Sequence, residues 1–373
     1  MKKRIIMIRS NPVEPDSRVE KEARVFLRNG WRVLLLVWDR EQNGILKDDK
    51  DLGEFSVPRI RFGAVAGYGG GMKYLRQYLL FQLRIMRWLL VNRTKYDIVH
   101  ACDFDTANAA AAACRMLQKK YVFDIFDFLE NDRNAFLGSI VSKRQITLIN
   151  RADAVVICSE KRKRQIHGSS PKRLAVIHNS PEDIRMGDIR IRGEDRVKIA
   201  YVGIFDENRM ILELMDAVGH MPDAELHIGG FGKIEKQVIQ SASRHGNIYY
   251  YGKLSYEDTL ALEKQSDIIT ALYSPDLKNH YYAAPNKFYE GLFLGKPLVM
   301  VKNTGMSEIV ARNHFGAVIE YHAQGLRQGI RALIAERNNW GRMSQEMKQA
   351  YRKYYSWNIM EQRLIQLYES LSE

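Results

Sequence analysis

Short apolar runs recur along the chain, spaced so that a helix fits between each pair. In the first half they fall at residues 5–8, 33–37, 97–102, 121–126, 154–159 and 174–178. In the second half they fall at 198–203, 225–230, 247–252, 267–273, 297–301 and 316–321. Most are nearly continuous in apolar side chains, and several are bounded by Gly, Asn, Asp or Pro. Strands covered on both faces of a parallel sheet read this way. The intervening segments suit helices. Residues 17–29 open on Asp16-Ser17, good N-cap types, and close at Gly30, a good C-cap type. Strand–helix alternation, run through twice, predicts an α/β fold of two doubly wound, Rossmann-like domains.

The stretch 179–196 has no apolar period and carries Pro181, Gly187 and Gly193, so it reads as the linker. Domains are therefore expected at 1–187 and from 188 onward. Ligands of open α/β folds bind beyond the carboxyl ends of the strands, so two such domains are expected to face each other across a cleft. Fold alone does not name the chemistry.

Composition adds limits. Apolar residues make up 46% and charged residues 27%, the mix of a globular protein. Cys102, Cys114 and Cys158 are too few and too scattered for a disulfide framework and read as reduced thiols. The first apolar stretch ends at Arg9, too soon for a secretory signal, and no run of 18 apolar residues spans a membrane. A cytoplasmic protein is expected, at most peripheral on the inner face of the membrane.

Charge separates the halves. Residues 1–187 hold 34 Lys and Arg against 21 Asp and Glu, whereas residues 188–373 hold 23 of each. The whole excess of +13 thus lies in the first half, which points to an anionic partner. Residues 72–94 read as one long helix. Its Lys73, Arg76, Arg84 and Arg87 share an arc of roughly 80°. Gly67-Tyr68-Gly69-Gly70-Gly71 precedes it as a flexible lead-in. The helix either lies in an anionic membrane interface or packs on the sheet with its arginine stems over apolar surface. Lys161-Arg162-Lys163-Arg164 with Lys172-Arg173 forms a second basic cluster. No aromatic residues interleave it, so nucleic acid is not expected as a partner.

The strongest chemical signal runs from Ala284 to Val299: Ala-Pro-Asn-Lys-Phe-Tyr-Glu-Gly-Leu-Phe-Leu-Gly-Lys-Pro-Leu-Val. It predicts a helix starting near Pro285-Asn286, stopped by Gly295 and followed by a strand. A helix N-terminus offers free amides and a positive dipole end to a diphosphate. Lys287 adds a charge there, and Glu290 sits one turn in, placed to accept hydrogen bonds from a ribose diol.

This segment resembles the donor motif of family 4 glycosyltransferases of the GT-B fold. Other pieces resemble the same family in order and spacing: Asp16 to Ala23 with Gly30, Tyr96-Asp97-Ile98-Val99-His100-Ala101, Tyr201-Val202-Gly203, Ile228-Gly229-Gly230-Phe231-Gly232, Ser266-Asp267-Ile268 and Tyr355-Ser356-Trp357. The resemblance implies a donor domain over 188–355 and a final helix, 356–373, that crosses back to the first domain. It implies that Glu290 binds the donor ribose, with Asn286, Lys287 and Arg209 near the diphosphate. Gly203, Gly230 and Tyr282 complete the donor-side candidates. Tyr282 stands where the family commonly has a first glutamate, with Asp276, Asn279 and His280 nearby as substitutes. Phe126 stands where a histidine is expected near the reacting bond, leaving Asp124 and Asp127 as catalytic candidates. Arg18, Lys73, Arg76, Arg84 and Arg87 are expected on the acceptor or membrane side. The glycines 229, 230 and 232 serve either the donor or a tight turn.

The implied activity is retaining transfer of a sugar from a nucleoside diphosphate, with uridine as the base, to a saccharide or lipid-linked acceptor in cell-surface polysaccharide or glycoconjugate synthesis. No cofactor and no metal are expected, because the second half has no Asp-x-Asp motif and Asp103-Phe104-Asp105 lies on the acceptor side. The rival readings are a GT-B epimerase or phosphorylase, and a non-catalytic nucleotide- or membrane-binding subunit.

Overall fold

The computed structural model describes residues 3–65, 71–129, 135–193 and 195–371, with the side chains of 71–73 and 135–137 outside that description. The lead-in 67–70, Glu130 and the Lys73 side chain therefore lie outside the described residues. The chain divides into two units, Met1–His178 with Met360–Glu373, and Asn179–Ile359.

The first unit is built on eight strands: β1 (Arg4–Arg9), β2 (Arg32–Asp39), β3 (Gly44–Asp51), β4 (Ser56–Gly63), β5 (Ile98–Cys102), β6 (Lys120–Ile125), β7 (Ala154–Ile157) and β8 (Leu174–Val176). Their order is β3-β4-β2-β1-β5-β6-β7-β8, parallel except for β3 against β4. The hydrophobic pattern anticipates six of these strands but not β3 and β4. The reason is physical. Strand β3 is an exposed edge rich in Asp and Lys, and β4 interleaves Pro58, Arg59 and Arg61 among its apolar positions. Charged edges resist unwanted pairing, and they also erase the apolar signal.

Four longer helices cover this sheet: α1 (Ser17–Arg28), α2 (Gly71–Val91), α3 (Phe104–Leu117) and α4 (Ala135–Arg151). Helix α2 seats Phe81, Ile85 and Leu89 in the core, with Phe81 stacked 5.0 Å from Trp38. Ala107, Ala109, Ala110, Ala111 and Ala113 keep α3 thin enough to lie close to its neighbours. The C-terminal helix Trp357–Ser370 closes the unit. Its Tyr368 packs 4.5 Å from Phe26 and meets His100 Nδ1 through its hydroxyl, while Arg363 donates to the Val176 carbonyl at 3.0 Å. Burying Met360, Leu364 and Tyr368 contributes about 1.5–3 kcal/mol each.

The second unit has six parallel strands: β9 (Val197–Phe205), β10 (Ala224–Gly232), β11 (Ile248–Tyr250), β12 (Ile268–Ala271), β13 (Leu298–Val301) and β14 (Gly316–Ile319). Their order is β11-β10-β9-β12-β13-β14. The chain winds outward from β9 to one edge, then restarts at β12 toward the other. Gly230 and Gly232 take φ of 148° and 151°, and a Cβ on either would fall 1.9 Å from the Gly203 carbonyl or 2.3 Å from that of Phe205. Close pairing of β10 with β9 therefore demands these glycines.

The stretch 179–196 is no free linker. Gln265 donates to the Ile189 carbonyl at 2.7 Å and Gly187 to that of Glu257 at 3.0 Å. Ile189 and Ile191 pack on Ala200, Val202 and Leu262. Two apolar residues in a polar run suffice to lay it against the second unit.

Candidate active site

In the second unit β9 and β12 are neighbours whose continuations leave in opposite directions, the position where open α/β sheets bind ligands. The turn Glu207–Arg209 follows β9, and Tyr273 follows β12. The Arg209 guanidinium lies 3.8 Å from the Tyr273 ring centroid. Burial works against its charge, but Tyr273 and Tyr201 outweigh burial and keep it protonated. No described carboxylate pairs with it.

The next element is the helix Asn286–Leu294, entered from Pro285 and ended by Gly295 at φ 68°. The amides of Asn286 and Lys287 have no helical partner, that of Phe288 donates to the Pro285 carbonyl at 3.0 Å, and Asn286 stands half-buried at the helix start. Lys287 Nζ lies 2.6 Å from Glu263 Oε1 and 2.8 Å from Glu290 Oε2. Both carboxylates are buried. Glu290 Oε1 and Glu263 Oε2 have no hydrogen-bond partner. Burial first, and then the charge of Glu290, push the Glu263 carboxyl up to about 8. Burial alone would lower the Lys287 pKa, yet Glu263 and Glu290 outweigh it and hold the ammonium above its usual range. Burial likewise raises the Tyr201 phenol, while Arg209 and Lys287 both act on it in the opposite sense. The two cations thus converge around one residue.

Sequence reasoning missed Glu263. It closes the helix Tyr256–Gln265 as Leu-Glu-Lys-Gln, a string that reads as a solvated helix end, and only tertiary packing buries it. Tyr282, directly after the turn Lys278–Tyr281, stands edge-on to Tyr281 at 5.0 Å. His280 shares a hydrogen of Nδ1 with the Ser274 carbonyl at 2.8 Å, and Asp276 is exposed beside Ser274. Gly203 is partly exposed, with only the Tyr201 hydroxyl near where a Cβ would stand.

The first unit has a matching switch point between β1 and β5. Arg9, the last residue of β1, pairs with Asp16 at 2.7 Å and with Asp103. Asp103 adopts φ 65° and ψ 169°, a region almost confined to glycine. Its Oδ1 accepts from the amides of Phe126 at 2.9 Å and Asp127 at 3.0 Å. Burial, opposed by Arg9, moves the Asp103 carboxyl up to about 6. The Phe126 ring lies 4.2 Å from the Arg9 guanidinium and 4.9 Å from that of Arg18.

Two expectations are corrected here. Asp124 is fully buried and accepts from Arg18 at 2.9 and 3.2 Å, so it anchors an ion pair rather than facing a substrate. Arg18 is turned inward as well, with Glu22 at 3.3 Å and the Ile177 carbonyl at 2.7 Å. Asp127 remains largely exposed, 3.5 Å from Arg162. Among the described residues, His100, Cys102 and Asp124 are the one set with metal-ligand atoms within 4.8 Å of each other. The Arg18 guanidinium already occupies the Asp124 oxygens. On α2, Arg76 and Arg87 are exposed, and Arg84 donates to the Gly63 carbonyl at 2.6 Å.

Two Rossmann-like domains, the second with an unpaired cation and a helix N-terminus at its switch point, are the architecture of the GT-B fold. The family comparisons make this specific. Residues 18–180 match the model of Glycosyltransferase Family 4, and residues 188–354 match that of Glycosyl transferases group 1. The chain belongs to the family 4 glycosyltransferases and is a nucleotide-sugar-dependent enzyme. In fold it is similar to sucrose-phosphate synthase from Thermosynechococcus elongatus, at TM-score 0.77 and 13% identity over 99% of each chain. It is also similar to Anabaena HepE in complex with UDP and glucose, at TM-score 0.72 and 14% identity over 99% of this chain and 100% of that one. A Rickettsia africae glycosyltransferase gives TM-score 0.70 and 14% identity over 100% and 99%. No curated protein matches by sequence.

Proposed function

We propose that the enzyme moves a sugar from a uridine diphosphate donor to a saccharide or lipid-linked acceptor, with retained anomeric configuration, in cell-surface polysaccharide or glycoconjugate synthesis. The observation that carries this reading is the buried Glu290, whose Oε1 lacks a partner beside Lys287 at a helix start. An unsatisfied buried carboxylate oxygen costs about 1–3 kcal/mol or more, and a ribose hydroxyl would satisfy it. The uridine base is supported by the HepE complexes with UDP and with UDP-glucose.

Arg209 and the amides of the helix Asn286–Leu294 face the diphosphate in this reading. As the anomeric bond breaks, its electron pair passes to the phosphate oxygen, and these groups stabilise that charge without a metal. The acceptor hydroxyl oxygen forms the new bond and yields its proton to the departing phosphate. The first unit takes the acceptor, and its strained Asp103 supports that assignment, because such strain collects at functional sites. The positive excess of this half supports a position on the cytoplasmic face of a membrane when the acceptor is lipid-linked.

The test begins with thermal unfolding across nucleoside diphosphates and their sugars, where a ligand at 100 times its Kd adds about 2.7 kcal/mol. UDP and one UDP-sugar are expected to stabilise the wild type and not Glu290→Ala. Proton NMR of the product then reads the anomeric configuration, and chelator treatment is expected to leave the rate unchanged. Absence of any nucleotide effect would sink the donor site. A product formed without a second saccharide would favour the epimerase or phosphorylase.

A further inference from the structure

Helix α2 buries one side and leaves the other bare. At about 100° per residue, Phe81, Ile85 and Leu89 face the core, while Leu75, Leu79, Leu83 and Leu90 fill an outward arc of about 80°. Leu79 and Leu83 are 52% and 67% exposed, and Leu75, Leu80 and Val91 are exposed too. Beside this ridge run Arg76, Arg87 and Arg84. Arg76 and Arg87 are exposed and make no ion pair with a described residue. Isolated exposed leucines are ordinary, whereas a contiguous row on one helix face marks an interaction surface.

We propose that this face of α2 is a docking surface for an anionic lipid bilayer, with the leucine ridge entering the headgroup boundary and Arg76 and Arg87 meeting lipid phosphates. Three facts select that occupant. The helix contains no Asp or Glu, so whatever covers it must supply negative charge together with apolar surface. A second copy laid face to face would repeat the same arginines across the two-fold axis with no carboxylate between them. Finally, no described helix is long and apolar enough to cross a membrane, so α2 lies on the surface rather than spanning it. The surface deepens the lipid-linked-acceptor reading but does not depend on the donor site. Vesicle binding and nucleotide binding are measured separately, so either can fail alone.

The experiment is co-sedimentation of the full chain with phosphatidylcholine vesicles and with vesicles of phosphatidylcholine and phosphatidylglycerol. Binding is expected only to the anionic vesicles and to weaken with salt. Leu79→Asn with Leu83→Asn is expected to reduce it at least about tenfold, and Arg76→Ala or Arg87→Ala about fivefold each. Thermal unfolding of the leucine variant checks that the fold survives, since both side chains are exposed. Wild-type binding unaltered by these substitutions would overturn the proposal, as would no binding to anionic vesicles. Self-association of the wild type, lost in the leucine variant without vesicle binding, would assign the face to a second copy instead.

Discussion

The two switch points begin from the same plan and end in opposite electrostatic states. Each unit places an arginine at the end of its first strand, Arg9 as the last residue of β1 and Arg209 in the turn after β9. Arg9 is neutralised by Asp16 and Asp103 and covered by Phe126. Arg209 has an aromatic face beneath it and no carboxylate. A cation closed by carboxylates holds loops in place. One left open attracts an anion. The shared topology therefore says where ligands approach, and the presence or absence of a few carboxylates says which approach is left open to an anion.

The comparison breaks most visibly in the first unit. Arg18→Met strands Asp124 and Glu22 in the core, and losing one partner of a buried pair costs about 3–5 kcal/mol. A fall of about 10 °C in the unfolding temperature is expected, with nucleotide affinity unchanged when both are measured on the same sample. A stable variant with weakened donor binding would reverse the roles assigned to the two units.

Arg209→Ala has the complementary signature. If the cation meets developing charge as proposed, its removal lowers kcat about 10²- to 10³-fold, whereas stability falls only by the roughly 1–2 kcal/mol of a half-buried cation–π contact. Steady-state kinetics beside thermal unfolding decides it; equal loss in both would make Arg209 a structural arginine like Arg9. Glu290→Gln sharpens the ribose assignment. Nucleotide Kd is expected to rise about 10- to 100-fold, the worth of a hydrogen bond to a charged group. The wild type should discriminate UDP from its 2′-deoxy analogue and the variant should not. Equal discrimination by both would move the ribose elsewhere.

How much of this was legible in the sequence depends on where each signal resides. The strands that carry the switch points are buried on both faces, and their apolar runs marked them. The helix Asn286–Leu294 lay open between Pro285 and Gly295, because its start and stop are local chemistry. Strands β3 and β4 were hidden by the charges that protect an edge. Asp124 read as a catalytic candidate, and nothing within β6 says that Arg18, far away in sequence, will clasp it. On α2 the arginines were visible as a stripe, but which leucines stay outside is fixed by the direction in which Phe81, Ile85 and Leu89 point. Glu263 left no local mark at all, since burial alone separates it from an ordinary helix-end glutamate.

That residue carries the finest distinction between the units. The Glu263 carboxyl titrates at about 8 in the folded protein, above the ordinary value of about 4.3 in the unfolded chain. The folded state therefore binds the extra proton, so its contribution to stability is complete below about pH 4.3 and is lost as pH rises through 8. Glu263→Gln keeps the neutral form at every pH. Relative to wild type, the variant should gain about 2–4 °C in unfolding temperature between pH 6 and pH 9. Parallel curves for the two proteins would show that Lys287 holds Glu263 ionised throughout. The sign also bears on binding. A protonated Glu263 brings no charge of its own to the cluster with Lys287 and Glu290. Loss of that proton adds a second negative charge next to the site. Nucleotide affinity should therefore weaken above pH 8 in the wild type and stay level in Glu263→Gln. Asp103, moved up to about 6 by burial, follows the same linkage at lower pH, but it lies in the first unit, closed by Arg9 and two amides, and its titration is expected to leave nucleotide affinity unchanged.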